Sequence, residues 1–497
     1  MRIPLSTRGL KPALSALAIG LLLAGCASTH GLEPKTALRN ADTLSSSRSL
    51  AGGALSAADF PRQNWWSALG DPQLDALIDE ALQGTPSLEA ADARLRKAQA
   101  QAGLADAERK PTLSASGQYS GVQLPETLAP EPLGGSYIGS TVLMLNFKYG
   151  LDLWGGKRAQ FEAAVGQAKA TEVDAQAARL TLSSNIAHAY VGLAQAYAAL
   201  DVATREHERA THLRNLGEQR VKAGLDNQSQ LRQAESTIAS AEQQAQAAQQ
   251  QIDMARTALA ALLGKGPDRG LAITRPTVLQ AGTPAVPQVL PSELLGHRPD
   301  VVAARWRVEA ASRGIDASKA SFKPSINLSA IVGLASGGLS DLFSSDALLG
   351  LGGPAISLPI FDGGRLRGQL DASDADYDLA VANYNQSLVG ALHEVTDALQ
   401  TARSLDQQIE TSQRALAAAK SAWDLAQTRY RAGLGTQLDV LAAQRPLLQL
   451  DQQIASLQSQ RLNAGIDLDR ALGGGLVFER PLLDQSRTPI ANSTATP

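Results

Sequence analysis

Four stretches of the chain alternate apolar and polar residues, a pattern typical of β-strands with one apolar face. The clearest covers 138–152, where the odd positions from Leu143 to Leu151 are large and apolar and the even positions include Asn146 and Lys148. The other strands are predicted at residues 111–122, 324–335 and 353–361. The strands therefore form two pairs, and each pair is joined by a loop that contains Gly.

Most of the remaining chain has a helical pattern with few Gly or Pro residues. Two stretches, 157–222 and 365–431, each continue for about 66 residues, which at about 1.5 Å per residue predicts helices roughly 100 Å long. Shorter helices are predicted at 72–109, 227–263, 292–322 and 436–472. Two of these shorter helices placed end to end match the length of one long helix.

The same order of elements occurs twice along the chain, which indicates an internal repeat. RVKAGL at 220–225 corresponds to RYRAGL at 429–434, and Gly224 and Gly433 are separated by 209 residues (433 − 224). The predicted fold is mainly α with a small β part, in two tandem structural repeats. The predicted boundaries are 61–270 for the first repeat, 271–291 for a Pro-rich linker and 292–479 for the second repeat.

The N-terminal residues have the pattern of a secretory signal peptide. Arg2, Arg8 and Lys11 precede an apolar run that ends in Leu-Ala-Gly-Cys, with the cysteine at Cys26. This ending resembles the bacterial lipoprotein signal, which implies cleavage before Cys26, attachment of lipid to it, and, with Ala27 next, an outer-membrane destination. An ordinary signal peptide that contains a cysteine is the alternative. The predicted segments are 1–25 for the signal, 26–60 for a lipidated tether and 480–497 for a flexible tail.

Composition and motifs argue against an enzyme. One Cys excludes an intrachain disulfide, six His residues lack metal-ligand spacing, and a net charge of −3 without long charge runs argues against nucleic-acid binding. GLGGP at 350–354 lacks the Lys-Ser/Thr ending of a phosphate-binding loop and is predicted to be a turn. We expect no cofactor and no metal.

The strand count has a consequence for assembly. The mature chain has no run of about 18 apolar residues, so any membrane crossing would have to use β-structure. A membrane barrel needs about eight strands, and one chain offers four. Two, three or more chains could close a barrel together, and the periodicity leaves that number open.

Four motifs, taken in order, resemble one known family. They are Trp65-Trp66 followed by Asp71-Pro72, YGLDLWGGKR at 149–158, LPSELLGHRPDVVAAR at 290–305, and the two RxxAGL segments. The chain is similar to the outer-membrane efflux proteins (TolC-like), in their lipoprotein branch serving multidrug pumps. The resemblance implies a homotrimer with a 12-stranded barrel in the cell outer membrane and a long α-helical coiled-coil barrel in the periplasm.

The resemblance also implies function and partners. It implies a passive exit duct for small toxic compounds or drugs, coupled to a periplasmic membrane-fusion adaptor protein and an inner-membrane efflux pump, with outer-membrane lipid as a further partner. Two alternatives remain: an outer-membrane channel for type I protein secretion, and a non-conducting lipid-anchored envelope scaffold. A scaffold would not need the alternating strands.

Site residues follow from the same resemblance. Family members close the periplasmic end with a leucine and an aspartate one turn apart, and these positions are Leu438 and Ala442 here, with an acid at Asp439 instead. Asp439 is alternatively a solvated acid in the first turn of a helix. Family members commonly carry Glu at the position of Arg305.

The two RxxAGL segments are predicted to be tight reversals between helices that contact the adaptor. The residues of this predicted contact are Arg220, Gly224, Leu225, Arg429, Gly433 and Leu434. Their alternative role is structural, as glycine caps at helix C-termini.

Overall fold

The computed structural model confirms a mainly helical fold with one small antiparallel sheet. It describes residues 29, 31–40, 43–44, 55–56, 61–127, 130, 132, 134–277, 280, 282, 286–287 and 296–476. Cys26, the predicted tail at 480–497 and part of the predicted linker at 271–291 lie outside the described residues. None of the described helices is long and apolar enough to cross a membrane.

Seven helices carry the architecture of the described residues. They are α1 Pro72–Gln83, α2 Pro86–Ala107, α3 Gly156–Lys222, α4 Gln228–Leu262, α5 Pro299–Ala320, α6 Arg365–Arg431 and α7 Gln437–Ala471. The long helices α3 and α6 have 67 residues each, or roughly 100 Å. Helix α3 packs against α1, α2, α4, α5 and α7, and α6 packs against α5 and α7.

The helix expected at 72–109 is in fact two helices. Helix α1 ends at Gln83, Gly84 follows, and Pro86 begins α2. Glycine is a poor helix former, and proline fits only the first turn of a helix because it lacks an amide hydrogen. These two residues together interrupt a pattern that otherwise has helical periodicity.

The sheet joins one strand pair from each repeat. Its strands are β1 Thr112–Gln123, β2 Tyr137–Leu151, β3 Ser325–Ser336 and β4 Leu348–Ser357, in the order β1-β2-β3-β4 and all antiparallel. Leu145 lies opposite Val332, and Lys148 lies opposite Ser329. Since side chains alternate between faces, one face is apolar and the other more polar. Leu145 and Val332 are exposed in the single chain.

The fourth strand is displaced from its expected position at 353–361. Strand β4 begins earlier, at Leu348, and ends at Ser357, so the predicted turn GLGGP lies inside the strand. Pro354 pairs with Leu328 of β3, and β4 has no other neighbour among the described strands. Proline is tolerated on an edge strand because one side of such a strand needs no ladder hydrogen bonds.

The main core lies midway along α3. Fully buried Ile186, Tyr190 and Leu193 pack there with apolar residues of α1 and α4, including Leu74 and Ile252. The Tyr190 hydroxyl donates to Oδ2 of Asp71 at 2.8 Å. This core holds three helices of the first repeat together at the middle of the rod.

The described part of the predicted tether lies along α6. The backbone amides of Lys35 and Thr36 donate to the carboxylate of Asp378 at 2.9 and 2.7 Å, and the amide of Arg39 donates to Asn385 at 2.8 Å. Leu32 packs on a cluster formed by α5 and α6. We call the side of α6 that carries Asp378 and Asn385 the tether face.

The opposite side of α6 is called the inner face. It carries Asp376, Asn383 and Glu394, which line clefts between α6 and its neighbours. At about 100° per residue, Asp376 points about 160° away from Asp378, whereas Glu394 lies five turns beyond Asp376 on the same side. The two faces therefore separate the tether from the clefts.

Candidate functional site: the paired helix tips

The two predicted reversals are formed by matching glycine caps. At the first, Gly224 has φ 75°, and the amide of Leu225 donates to the Arg220 carbonyl at 2.9 Å. At the second, Gly433 also has φ 75°, and the amide of Leu434 donates to the equivalent carbonyl at 2.8 Å. Glycine adopts this left-handed conformation without a Cβ penalty, which allows each long helix to end abruptly.

The returning helices begin with capping boxes. At the start of α7, the Asp439 carboxylate accepts from the Thr436 amide at 2.8 Å and from its hydroxyl at 2.9 Å. The hydrogen bond from the Thr436 backbone lowers the pKa of Asp439. Asp439 therefore has the structural position foreseen as its alternative, a first-turn acid, and its carboxylate is directed back to the helix N-terminus.

The two tips are joined by a cluster that we call the tip latch: Arg220, Asp226 and Tyr430. The buried Tyr430 hydroxyl donates to Oδ2 of Asp226 at 2.5 Å, and Nε of Arg220 donates to the same oxygen at 2.9 Å. The guanidinium also lies 4.5 Å from the Tyr430 ring centroid. Burial, followed by the hydrogen bond to Asp226, raises the pKa of Tyr430 above its ordinary value. The tyrosine is therefore a neutral donor.

The repeat provides one latch and no second copy of it. At an offset of 209 residues, Asp226 corresponds to Gly435 and Tyr430 corresponds to Val221, so the reciprocal pair lacks both groups. Sequence reasoning missed the latch. The signal was present in the difference between RVKAGL and RYRAGL, where one tip carries an aromatic residue that the other lacks.

The predicted adaptor-contact residues differ in exposure. Leu225 and Leu434 are 65% and 72% exposed, and Arg429 is exposed as well. The Arg220 side chain is only 16% exposed because the latch holds it. The guanidinium of Arg220 is thus mostly enclosed by the latch.

The predicted constriction residues Leu438 and Ala442 continue the inner face. Ala442 lies 18 residues, or about five turns, before Gln460, which lines a cleft of about 440 Å³ between α6 and α7. Leu438 is 68% exposed. Four residues after Ala442 comes Pro446, inside α7. Its missing amide leaves the Ala442 carbonyl without the usual helical donor.

Carboxylates predominate on the inner face. Glu394, Asp397 and Asp467 line the cleft between α6 and α7, and Asp174, Asp300 and Asp376 line a second one of about 590 Å³. The His188 ring lies 3.3 Å from Asp467, and this hydrogen bond raises the pKa of His188. No described group of three or more His, Cys, Asp or Glu residues could hold a metal ion.

Two other polar residues, one buried and one half-buried, form no ion pair among the described residues. Gln437, the first residue of α7, is fully buried, and neither its amide nitrogen nor its amide oxygen has a hydrogen-bond partner in the described part of the chain. The Arg305 guanidinium lies 5.5 Å from the ring centroid of Tyr384 on α6. Arg305 is therefore a cation that packs on an aromatic ring.

Comparison with known proteins gives a consistent result. The family profile described as "Outer membrane efflux protein" matches residues 77–265 and 290–474. The chain is 42% identical over 374 residues to the fusaric acid resistance protein FusA of Burkholderia cepacia, covering 73% of this chain and 69% of FusA. It is 31% identical over 430 residues to the multidrug resistance outer membrane protein MdtP of Escherichia coli K12, covering 85% and 88%.

A solved structure agrees as well. The outer membrane protein VceC of Vibrio cholerae superposes with a TM-score of 0.77 at 39% identity, covering 84% of this chain and 100% of VceC. The match to the family profile extends over the sheet-bearing segments and the helices of both repeats. The chain therefore belongs to the outer membrane efflux protein family.

Proposed function

We propose that three copies of this chain form a passive outer-membrane duct that carries small toxic compounds or drugs from an adaptor and an inner-membrane pump to the exterior. The observation that carries this proposal is a four-stranded sheet continuous with two roughly 100 Å helices. Relatives named for fusaric acid, multidrug and pyoverdine resistance or export support small molecules as cargo.

The sheet supports the trimer through its free edges. Among the described strands, β1 pairs only with β2 and β4 pairs only with β3, so two edges remain open. A membrane-embedded sheet must have every backbone group paired, and edge-to-edge closure of three copies gives twelve strands. The exposed apolar face with Leu145 and Val332 would then meet lipid.

The tether supports the assignment of outside and inside. Cys26 is proposed to carry the lipid, so the segment that follows it must run outside the tube, against the tether face. The inner face with Glu394 and Asp376 then lines the lumen. Asp376 adds negative charge to this wall, whereas the Glu394 carboxylate is compensated by Arg298 at 2.9 Å.

The tips support a docking role for the adaptor. We propose Leu225, Leu434 and Arg429 as its contacts, with Gly224 and Gly433 as the turns that present them. Exposed leucines at the end of a long rod are apolar area that a partner can bury. Arg220 is left out of this contact because its guanidinium is held inside the latch.

The constriction is proposed at Leu438 and Ala442. Both lie in the first two turns of α7, close to the second tip, and three copies would bring three leucines together near the axis. No carboxylate ring is proposed at this level, because Asp439 is committed to its capping box.

Native mass spectrometry of the detergent-extracted protein, followed by planar-bilayer recording, tests the proposal. We expect three lipidated chains and a conductance that remains small while the latch is intact. A stable monomer would contradict the duct, because four strands cannot close a barrel. A trimer that never conducts, even with the latch removed, would favour the scaffold alternative.

A further inference from the structure

A cavity of about 420 Å³ lies where the helices meet the sheet, between the first turns of α3 and the last turns of α5. We call it the junction pocket. Its charged and aromatic lining residues are Trp154, Arg158, Glu162, Arg313, Asp316, Lys319 and Lys323. It is separate from the tips and from the inner-face clefts.

The charges of the junction pocket do not balance. Glu162 forms ion pairs with Arg158 at 2.7 Å and with Arg313 at 3.4 Å, and Arg313 also lies 3.1 Å from Glu309 of α5 and 3.7 Å from Asp316. The two carboxylates thus compensate the two arginines. Among the lining side chains two lysines remain in excess, so the pocket suits an anionic ligand.

Those two lysines are Lys319 and Lys323. Neither forms an ion pair with a described residue, although Lys319 lies close enough to the buried Asp374 carboxylate on α6 to interact with its charge. The ammonium of Lys323 lies 6.0 Å from the ring centroid of Trp154, which is 53% exposed and donates its Nε1 proton to the Pro324 carbonyl at 2.7 Å. An amphipathic ring next to an exposed lysine is typical of a membrane interface.

The pocket lies at the end of the sheet. Trp154 follows the last residue of β2, Leu151, by three positions, and Lys323 precedes the first residue of β3, Ser325, by two. Further large apolar side chains are exposed at this level, namely Leu153, Ile360 and Phe361. If the sheet crosses the outer membrane, the pocket lies at the headgroups of the periplasmic leaflet.

The position of the tether independently indicates that the junction pocket lies near the membrane surface. Leu32 packs with Ile315 and Phe322, and Lys319 lies one turn after Ile315 on α5. Six residues separate Leu32 from Cys26, a span of at most about 20 Å. Lipid attached at Cys26 would therefore enter the leaflet within reach of the junction pocket.

We infer that the junction pocket binds the phosphate-bearing headgroup of an anionic phospholipid from the periplasmic leaflet. Lys319 and Lys323 contact the phosphate, Trp154 packs on the glycerol and upper acyl chain, and the Arg158–Glu162 pair forms one wall. The inference rests on the proposed function, since it requires the sheet to lie in the membrane. The excess charge favours an anionic headgroup over a zwitterionic one.

The test uses full-length trimers reconstituted in nanodiscs of phosphatidylglycerol or phosphatidylcholine and then released for native mass spectrometry. We expect wild type to retain phosphatidylglycerol, at up to three molecules per trimer, and to release phosphatidylcholine. In Lys319→Gln/Lys323→Gln, retention should fall about 25-fold, since each lysine near an anionic surface contributes roughly fivefold. The matched control is Lys97→Gln/Lys420→Gln, two exposed lysines far from the pocket, which should behave as wild type.

A competition with inorganic phosphate separates the two sources of this chemistry. A headgroup held by its lipid should not be displaced, whereas displacement by millimolar phosphate would indicate a site for the free ion and overturn the lipid assignment. Equal retention of both lipids, or unchanged retention in the double variant, would also overturn it. Trimer mass and conductance are recorded on the same samples. A conducting trimer without lipid preference would therefore refute the lipid site and leave the proposed duct intact.

Discussion

Removal of one hydroxyl group from the tip latch should open the duct. In Tyr430→Phe, Asp226 loses the 2.5 Å hydrogen bond and keeps the one from Arg220. A hydrogen bond to a charged group contributes about 1.5–3 kcal/mol, and we take the lower end because Arg220 continues to compensate the carboxylate. About 1.5 kcal/mol shifts the equilibrium between latched and released tips roughly tenfold, or about a thousandfold if three latches release together.

Single-channel recording in planar bilayers measures this shift as a rise in the open fraction. The chain offers a matched control, because Tyr190 is also fully buried and donates to a carboxylate, that of Asp71 at 2.8 Å, but in the middle of the rod. Tyr190→Phe should lower the melting temperature without raising the open fraction. If Tyr430→Phe behaves in the same way, the latch is a stabilising contact and does not hold the tips closed.

Three further predictions concern other parts of the rod. Leu225→Glu/Leu434→Glu should abolish adaptor cross-linking and drug resistance while trimers still form. The control Leu271→Glu, at another exposed leucine, should leave both cross-linking and resistance unchanged. Gln437→Met should increase the free energy of unfolding by about 1 kcal/mol and so raise the melting temperature, because it removes two buried polar atoms that lack a described partner. In His188→Gln, the stability deficit relative to wild type should be present near pH 5.5 and absent well above the raised pKa of His188, as followed by thermal unfolding.

Each of these predictions has an outcome that contradicts it. Normal cross-linking of the double leucine variant would remove the tips from the adaptor contact. A lower melting temperature for Gln437→Met would mean that the amide is hydrogen-bonded in solution. The sign for His188 follows because a raised folded pKa stabilises the fold at low pH and loses that effect as the imidazolium deprotonates. A deficit that is constant with pH would show that the ring contributes by packing alone.

The sequence predicts the long helices well because their signal is local. Helix α6 covers the predicted residues, and α3 differs by one residue at its start, since breakers such as Gly155 and Gly224 mark their ends. The errors fall where local signals conflict. Glycines and Pro354 conceal strand β4, and the Gly84–Pro86 break lies within an otherwise helical pattern.

The latch and the tether contacts could not be predicted in the same way. Asp226 and Tyr430 are 204 residues apart, and Lys35 and Asp378 are 343 apart. Neither pair has a spacing that carries information before the helices are placed side by side. The family resemblance predicts a constriction at Leu438, but the capping box that redirects Asp439 depends on Thr436 three residues earlier.

The single latch has a consequence for how such a tube could have arisen by gene duplication. A half-length ancestor would build a six-fold tube from identical units, each with one tip. Six tips carrying Val221 and Asp226 would keep the hydrogen bond from Arg220 but lack the tyrosine donor, and six carrying Tyr430 and Gly435 would have a donor without an acceptor. Neither half alone could form the complete latch at its own tip. Formation of the latch therefore depends on the divergence of the two halves. Joining the two halves in one gene keeps the tyrosine donor and the aspartate acceptor in equal numbers.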